Sequence, residues 1–240
     1  MDRLCHSLMG KQWNVLVQVE SMLIDMHCHS ISSEDARATV EQYLKWIGVL
    51  RGKGYTIDGI VLTEHRKFDI EADYAELSEH YGVLVMKGSE LDTNMGHCLI
   101  YGVNDALRER IDFGDVRLDL HKVLEAARDC GAVAVPAHPG RVMVGLFDHM
   151  ERAGMVNPDV WVVERVNGGS RTEENARAAS VADQSGLLGI GGSDAHFVSS
   201  IGACLTEFPT SITNEAGLVD ALNKRDFRPV LLEQTLETYS

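Results

Sequence analysis

The chain has 240 residues, 45% of them hydrophobic, which is enough for one large domain with a sizeable core. Its 36 acidic residues outnumber 22 basic ones, and the net charge of −14 argues against duplex nucleic acid or an anionic membrane as main partner. Five scattered cysteines without a C-x-x-C pair, and no secretory apolar segment, fit reduced thiols in a cytoplasm better than a disulfide framework.

Residues 1–21 match no later pattern, and Met22 makes a credible start, so this segment is expected to be an extension or a misassigned start. Met22 to His29 then reads as a short buried strand ending in two histidines. Strand side chains alternate, so Asp25, His27 and His29 share one face and Cys28 takes the other. A loop follows to Ala38, and Thr39 with Gln42 opens a helix as a capping box that Gly52 and Gly54 close.

Ile57–Leu62 is the second strand, leading into Thr63-Glu64-His65. A helix over about Glu71–His80 precedes strand Val83–Met86, which ends at Gly88-Ser89-Glu90; His97 stands at the entrance of a fourth strand, His97–Gly102. A helix over Asp119–Cys130 carries Leu120, Val123, Leu124 and Ala127 on one stripe. Strand Ala132–Val135 runs into Ala137-His138-Pro139-Gly140, and a helix is expected near Val142–Arg152. Strand Val160–Val163 ends at Glu164; helix Thr172–Gln184 and strand Leu187–Ile190 lead to Gly192-Ser193-Asp194-Ala195-His196. Helix Asn214–Lys224 and strand Pro229–Leu232 finish the domain. Strands alternating with helices predict parallel βα units, and the longest apolar runs are too short to span a membrane. Polar groups at the carboxyl ends of the strands place a site where barrel enzymes build theirs.

Those polar groups form one chemical set. Six histidines (His27, His29, His65, His97, His138, His196) and three carboxylates (Glu90, Glu164, Asp194) stand at strand ends or in the loop just after. Buried imidazoles and carboxylates gathered at one place need a compensating cation, and two imidazoles one residue apart can grip the same ion. Mixed His/carboxylate donors suit Mn, Fe or Zn without choosing among them. His6, His80, His121 and His149 fall outside this pattern, the last three on helices.

The motifs His27-x-His29, Thr63-Glu64-His65, Gly88-Ser89-Glu90, Gly96-His97, Ala137-His138-Pro139-Gly140 and Gly192-Ser193-Asp194-Ala195-His196 occur in the order seen in PHP domains. The chain thus resembles the polymerase and histidinol phosphatase superfamily from about Leu23 to Phe208. The resemblance implies a single-domain, distorted (β/α)7 TIM-like barrel whose two or three divalent metal ions serve hydrolysis of a phosphoric ester. By motif, His27, His29, Glu90 and Asp194 would hold one metal, and Glu90, His97 and His138 a second, with Glu90 bridging. His65 and His196 would hold a third, with Glu34 or Asp35 supplying an acid; the spacing leans to Asp35. Thr63-Glu64-His65 departs from the usual Thr-Asp-His at a residue that is not the ligand. Glu164 is either a ligand or a group that orients a neighbouring imidazole, and Asp25 is placed to orient in the same way.

The expected activity is that of a metal-dependent phosphoesterase acting on a small phosphorylated substrate, a phosphomonoester foremost. The catalytic set is Glu90, His138, His196 and Arg141, the last either contacting a substrate phosphate in bidentate fashion or capping its loop. Neither a Cys-x5-Arg loop nor a P-loop is present, and Ser193 lacks a nucleophile elbow. Direct attack by metal-activated water, with no phosphoenzyme and one inversion at phosphorus, is therefore expected. Two alternatives stand beside this reading: a metal-bound module that docks a partner without turnover, and an amidohydrolase-type barrel. The latter bridges its metals through a strand-end lysine, and Lys87 lies too close to Glu90 to fill that place.

Overall fold

A computed structural model describes residues 21–155 and 159–236. The expected N-terminal extension, His6 included, lies outside the described residues but for Ser21. The chain order is β1 (Met22–Cys28), α1 (Val40–Arg51), β2 (Gly59–His65), α2 (Ala75–Tyr81), β3 (Leu84–Thr93), β4 (Gly96–Tyr101), α3 (Asp105–Arg110) and α4 (Leu120–Asp129). Then come β5 (Val133–Pro136), α5 (Leu146–Ala153), β6 (Val162–Asn167), α6 (Thr172–Ser185), β7 (Leu188–Gly192), β8 (Cys204–Phe208), α7 (Glu215–Asn223) and β9 (Arg228–Leu231).

Hydrogen bonding joins the strands into a curled seven-stranded sheet, β5-β4-β3-β2-β1-β8-β9, and a separate parallel pair, β6-β7. Only β1, β2 and β3 run parallel within the large sheet; β4, β5, β8 and β9 pair antiparallel. This differs from the all-parallel succession that the sequence pattern predicts. Asn94 and Met95 alone separate β3 from β4, so the chain must return as a hairpin, with Gly96 at φ +101° in the turn. Because that hairpin extends β3 to Thr93, Glu90 sits inside a strand instead of after one.

The β6-β7 pair is tied to the large sheet by side chains and single bridges. Thr206 Oγ1 of β8 accepts from the Gly191 N–H (2.8 Å) and donates to the Gly191 carbonyl (3.0 Å), standing in for a ladder pair. Beyond β7, Asp194 N–H donates to the His27 carbonyl (2.7 Å), and His29 N–H donates to the Ala195 carbonyl (2.9 Å). The loop after β7 is thereby fixed to the end of β1.

Inside the curl lie Ile24, Met26, Val61, Met86, Leu99 and Val135, closed below by Leu218 and Leu222 of α7. Each such fully buried side chain contributes roughly 1.5–3 kcal/mol of hydrophobic stabilisation. On the outer face, Tyr43, Leu44 and Ile47 of α1 cover Cys28, Ile60 and Leu62, while α4, α5 and α6 cover β4 and β5. The Thr39/Gln42 capping box forms as expected, and Tyr43 Oη lies 2.7 Å from the His29 carbonyl and 2.9 Å from that of Ala195.

Two helices start later than their periodicity predicts. Before α2, the Asp69 and Asp73 side chains accept from the N–H groups of Glu71, Ala72 and Ala75, turns that compete with the helix. Before α5, Met143 at φ +73° breaks the run, and its N–H donates to Asp148. Strands β6 and β8 also depart from expectation: β6 carries on past Glu164 to Asn167, and β8 had no counterpart in the pattern. No helix among the described residues is long and apolar enough to cross a membrane.

Candidate metal centre

Every strand of the parallel core delivers a donor to one end of the curl. His27 and His29 come from the end of β1, His65 from the last position of β2, and Glu90 from β3 directly beside it in register. His97 comes from β4, His138 from the turn after β5, and Asp194 and His196 from the loop after β7. A register shift between Asp25 and Cys28 in β1 separates His27 and His29 from the plain alternation below them.

The donors converge. His27 Nε2 lies 3.0 Å from His29 Nε2, 3.3 Å from Glu90 Oε2 and 3.4 Å from Asp194 Oδ1. His29 Nε2 lies 3.3 Å and 3.5 Å from the same two oxygens. Such separations match the edges of a ligand shell of radius about 2.0–2.2 Å. On its other side, Glu90 Oε1 faces His97 Nδ1 at 3.0 Å and His138 Nε2 at 3.1 Å. His65 Nδ1 reaches Glu90 Oε2 at 3.0 Å. A third group gathers His29, His65 and His196. Asp35 Oδ2 stands 3.4 Å from His65 Nε2 and 3.2 Å from His196 Nε2. Glu34, by contrast, offers only its backbone carbonyl, to Arg37, and its carboxylate joins none of these groups. Of the three clusters {His27, His29, Asp194}, {Glu90, His97, His138} and {His29, His65, His196}, the second matches the set the motifs imply, the first lacks its Glu90, and the third has His29 where the motifs put an acid.

The residues present fit cations. His29 Nδ1 and His138 Nδ1 are buried without any hydrogen-bond partner, an expense that a bare protein rarely tolerates. Backbone strain points the same way: His138 and Asp194 hold φ at +29° and +53° although neither is glycine. Burial disfavours charge on all these groups, yet Glu164, Asp194 and Glu90 together hold the His27 imidazole well above its ordinary range. Burial is likewise outweighed at Glu90, which His27, His138 and His29 hold well below the carboxylate range. For His138 burial prevails and pushes the imidazole down. Imidazoles and carboxylates thus hold one another in this cluster against the cost of burial.

Two expected site residues orient ligands instead of facing the centre. Glu164 Oε1 accepts from His27 Nδ1 at 2.9 Å, while Oε2 accepts from the His138 N–H (2.7 Å) and Asn167 Nδ2 (2.8 Å). Both oxygens are consumed, which leaves His27 Nε2 bare toward the cluster. Arg141 Nη2 donates to Asp194 Oδ2 (2.6 Å) and Asn167 Oδ1 (2.9 Å), and its Nε to Ser170 Oγ (2.8 Å). It pins Asp194 through a charge-assisted bond.

Further residues support the ligands; its strand face places Asp25 to do so, whereas the sequence pattern does not place Glu64, Asp92 and Asn167. Glu64 is buried and accepts from Ser30 N–H (3.0 Å), Ser30 Oγ (2.6 Å) and Ser33 Oγ, anchoring the loop that carries Asp35. Asp25 accepts from the N–H groups of Ser193 and Gly202, both at 2.8 Å, and from that of His27 at 3.2 Å, so it holds the Asp194 loop and the backbone of one ligand. Burial pushes its carboxyl up to about 6. Asp92 pairs in register with His97, its Oδ1 3.6 Å from His97 Nε2. Asn167 and Asp92 carry the same signal that marked the other groups, a polar side chain inside a strand otherwise built for burial. Gly192 is required by space: a Cβ there would collide with His27 Cβ and stand 2.8 Å from Glu164 Oε1.

The model of a family described as "PHP-associated" matches residues 172–227, which run from α6 to just short of β9. No match was found among curated protein sequences. Among solved structures, the chain is similar to a two-domain protein from Bacteroides vulgatus containing a predicted PHP-like metal-dependent phosphoesterase, at 20% identity and TM-score 0.58. That alignment covers 90% of this chain and 66% of the other, so the chain spans just under two thirds of that protein. PsfC from Pseudomonas syringae aligns at 20% identity and TM-score 0.60, over 90% of this chain and 93% of its own. The lesion-specific endonuclease PfuEndoQ from Pyrococcus furiosus aligns at 13% identity and TM-score 0.63, over 88% and 58%. At these identities the likeness is one of fold. The matched segment and the shared fold make the chain similar to PHP domains, in agreement with the order of its ligand motifs.

Proposed function

We propose that this protein hydrolyses phosphoric esters, phosphomonoesters foremost, with two or three divalent cations (Mn, Fe or Zn) held at the mouth of a distorted (β/α)7 barrel. One observation carries the reading: Glu90 turns Oε1 to His97 and His138 and Oε2 to His27, His29 and His65. A carboxylate shared in that way is suited to bridge two cations. When bound, such cations polarise phosphoryl oxygens and lower the pKa of water, which is the chemistry that hydrolysis at phosphorus needs.

The chain's own residues prepare the site for that role. Glu164 fixes the His27 tautomer, Arg141 aims Asp194, and Glu64 holds the Asp35 loop over the third group. Ser193 supplies no nucleophile: it is 1% exposed, and its Oγ donates to the His27 carbonyl at 3.3 Å. This supports direct displacement by water without a phosphoenzyme. His138 Nε2 and His196 Nε2 both face carboxylates of the clusters, Glu90 and Asp35, so we assign them to the cations and not to a free general acid. An amidohydrolase-type lysine bridge is disfavoured because Lys87 Nζ is committed to the carbonyls of Asp69, Ile70 and Ala72, away from the cluster.

The test is phosphate release from a panel of small phosphomonoesters and diesters, with the protein loaded with Mn and again after chelation. Release that depends on metal is expected. A fully metal-loaded protein that releases none from any ester would point instead to a non-catalytic docking module.

A further inference from the structure

The donor groups differ in how firmly the fold holds them. The side chains of His27, His29, Glu90 and His138 are sunk in the curl, at most 1% exposed. The third group lies outermost: the side chains of His65, His196 and Asp35 are 20%, 22% and 59% exposed. Its acid stands on the loop between β1 and α1, whose backbone bonds largely to itself. Ile31 N–H donates to the Ala38 carbonyl (2.9 Å), Ser33 N–H to that of Ser30 (2.8 Å) and Ala36 N–H to that of Ser33 (3.3 Å). Outward, Arg37 N–H donates to the carbonyl of His196, itself a member of the third group (2.8 Å).

A clasp of side chains joins this loop to β2. The hydroxyls of Ser30 and Ser33 both donate to the Glu64 carboxylate, and Ser33 Oγ accepts from the His65 N–H at 3.1 Å. One hydroxyl, two residues before Asp35, thus links the backbone of a histidine donor to the loop of the acid that faces it. Ser30, Ser33 and Glu64 are all buried, and bonds to an ionised acceptor are roughly twice as strong as neutral ones. Neighbouring side chains in a strand take opposite faces, so Glu64 turns away from the cluster that His65 meets, and it joins none of the three donor groups.

We propose that Glu64, acting through Ser33, is a positioning residue for the third cation alone. It holds Asp35 against His65 and His196, and loss of the clasp weakens that position while the other two keep their affinity. The inference rests on the reading of the clusters as cation sites. Its test is titration of Mn into the metal-free protein, with free Mn read from its electron paramagnetic resonance signal. Three bound equivalents are expected, the third the weakest. Ser33→Ala and Glu64→Gln should each weaken the third by about 10–100-fold and leave the first two unchanged. Asp35→Asn should weaken the same equivalent, and adding Ser33→Ala to it should weaken it no further. Should Glu64→Gln fail to fold, Ser33→Ala decides, since it keeps the Ser30 bonds to Glu64. A third equivalent unchanged in Ser33→Ala, a loss spread evenly over all three, or a wild-type protein that stops at two would overturn the role of Glu64. Metal-dependent phosphate release in any of those cases would leave the phosphoesterase reading intact. If no Mn binds, both readings fall.

Discussion

Replacement of Glu164 by glutamine keeps the shape of a fully buried side chain but exchanges one acceptor for a donor, and the structure leaves that donor nowhere to go. With the amide nitrogen toward His27, Nδ1 must accept, and the imidazole is forced to carry its proton on Nε2, the atom turned to the cluster. With the nitrogen turned the other way, it meets two donors, the His138 N–H and Asn167 Nδ2. Asn167 cannot flip to help, because its Oδ1 already accepts from Arg141, Gly169 and Ser170. Either a ligand is blocked or buried donors stay unsatisfied, at about 1–3 kcal/mol each. A loss of about 2 kcal/mol would lower the midpoint of thermal unfolding by roughly 4–8 °C in a chain of this size. Metal affinity should fall by about 10–100-fold, as it does when a residue that orients a ligand is lost. Competition against a chromophoric chelator measures the affinity, and nitrogen NMR of the imidazoles reads the tautomer. A Glu164→Gln protein with unchanged affinity and His27 still protonated on Nδ1 would refute the reasoning.

Four further outcomes are expected. Glu90→Gln should abolish turnover and lower metal content by more than one equivalent, read by elemental analysis; loss of a single equivalent would refute the bridging role. Asp35→Asn should remove the most weakly held metal while Glu34→Gln changes nothing, and equal effects would show that the loop, not the Asp35 carboxylate, matters. Gly192→Ala should cost about 1–3 kcal/mol through overpacking against His27 and Glu164. Gly48→Ala in α1, where an added Cβ meets nothing within 4 Å, should be neutral or stabilising by up to about 1 kcal/mol, and denaturant unfolding separates the two.

The ligand set was legible because histidines and acids at strand ends conflict with the apolar strands that carry them. Topology was less so: nothing in the period of β4 or β8 records strand direction, which depends on whether a hairpin or a helix returns the chain. Strand β8 also hid behind Thr206, a polar residue that is wholly buried because Gly191 satisfies it. Glu34 and Asp35 could not be separated by spacing alone, since the turn that aims one of them inward is set by Glu64, on a different strand. The role of Arg141 was hidden for a similar reason. Its partner Asp194 is 53 positions away, and only the folded chain brings guanidinium and carboxylate together.

The joint between β1 and the β6-β7 pair sets an order of events in the life of the molecule. His27 and its orienting carboxylate Glu164 lie 137 positions apart, and the loop bearing Asp194 is tied to Asp25 across 168. During synthesis, therefore, the two histidines of β1 leave the ribosome long before the residues that complete their cluster exist. An ion caught early would find two imidazoles and water, a site open to any divalent metal in the usual affinity order. Metal choice must then be made late, by the closed shape of the finished cluster. Chains cut short before β7 would emerge as promiscuous, weak chelators.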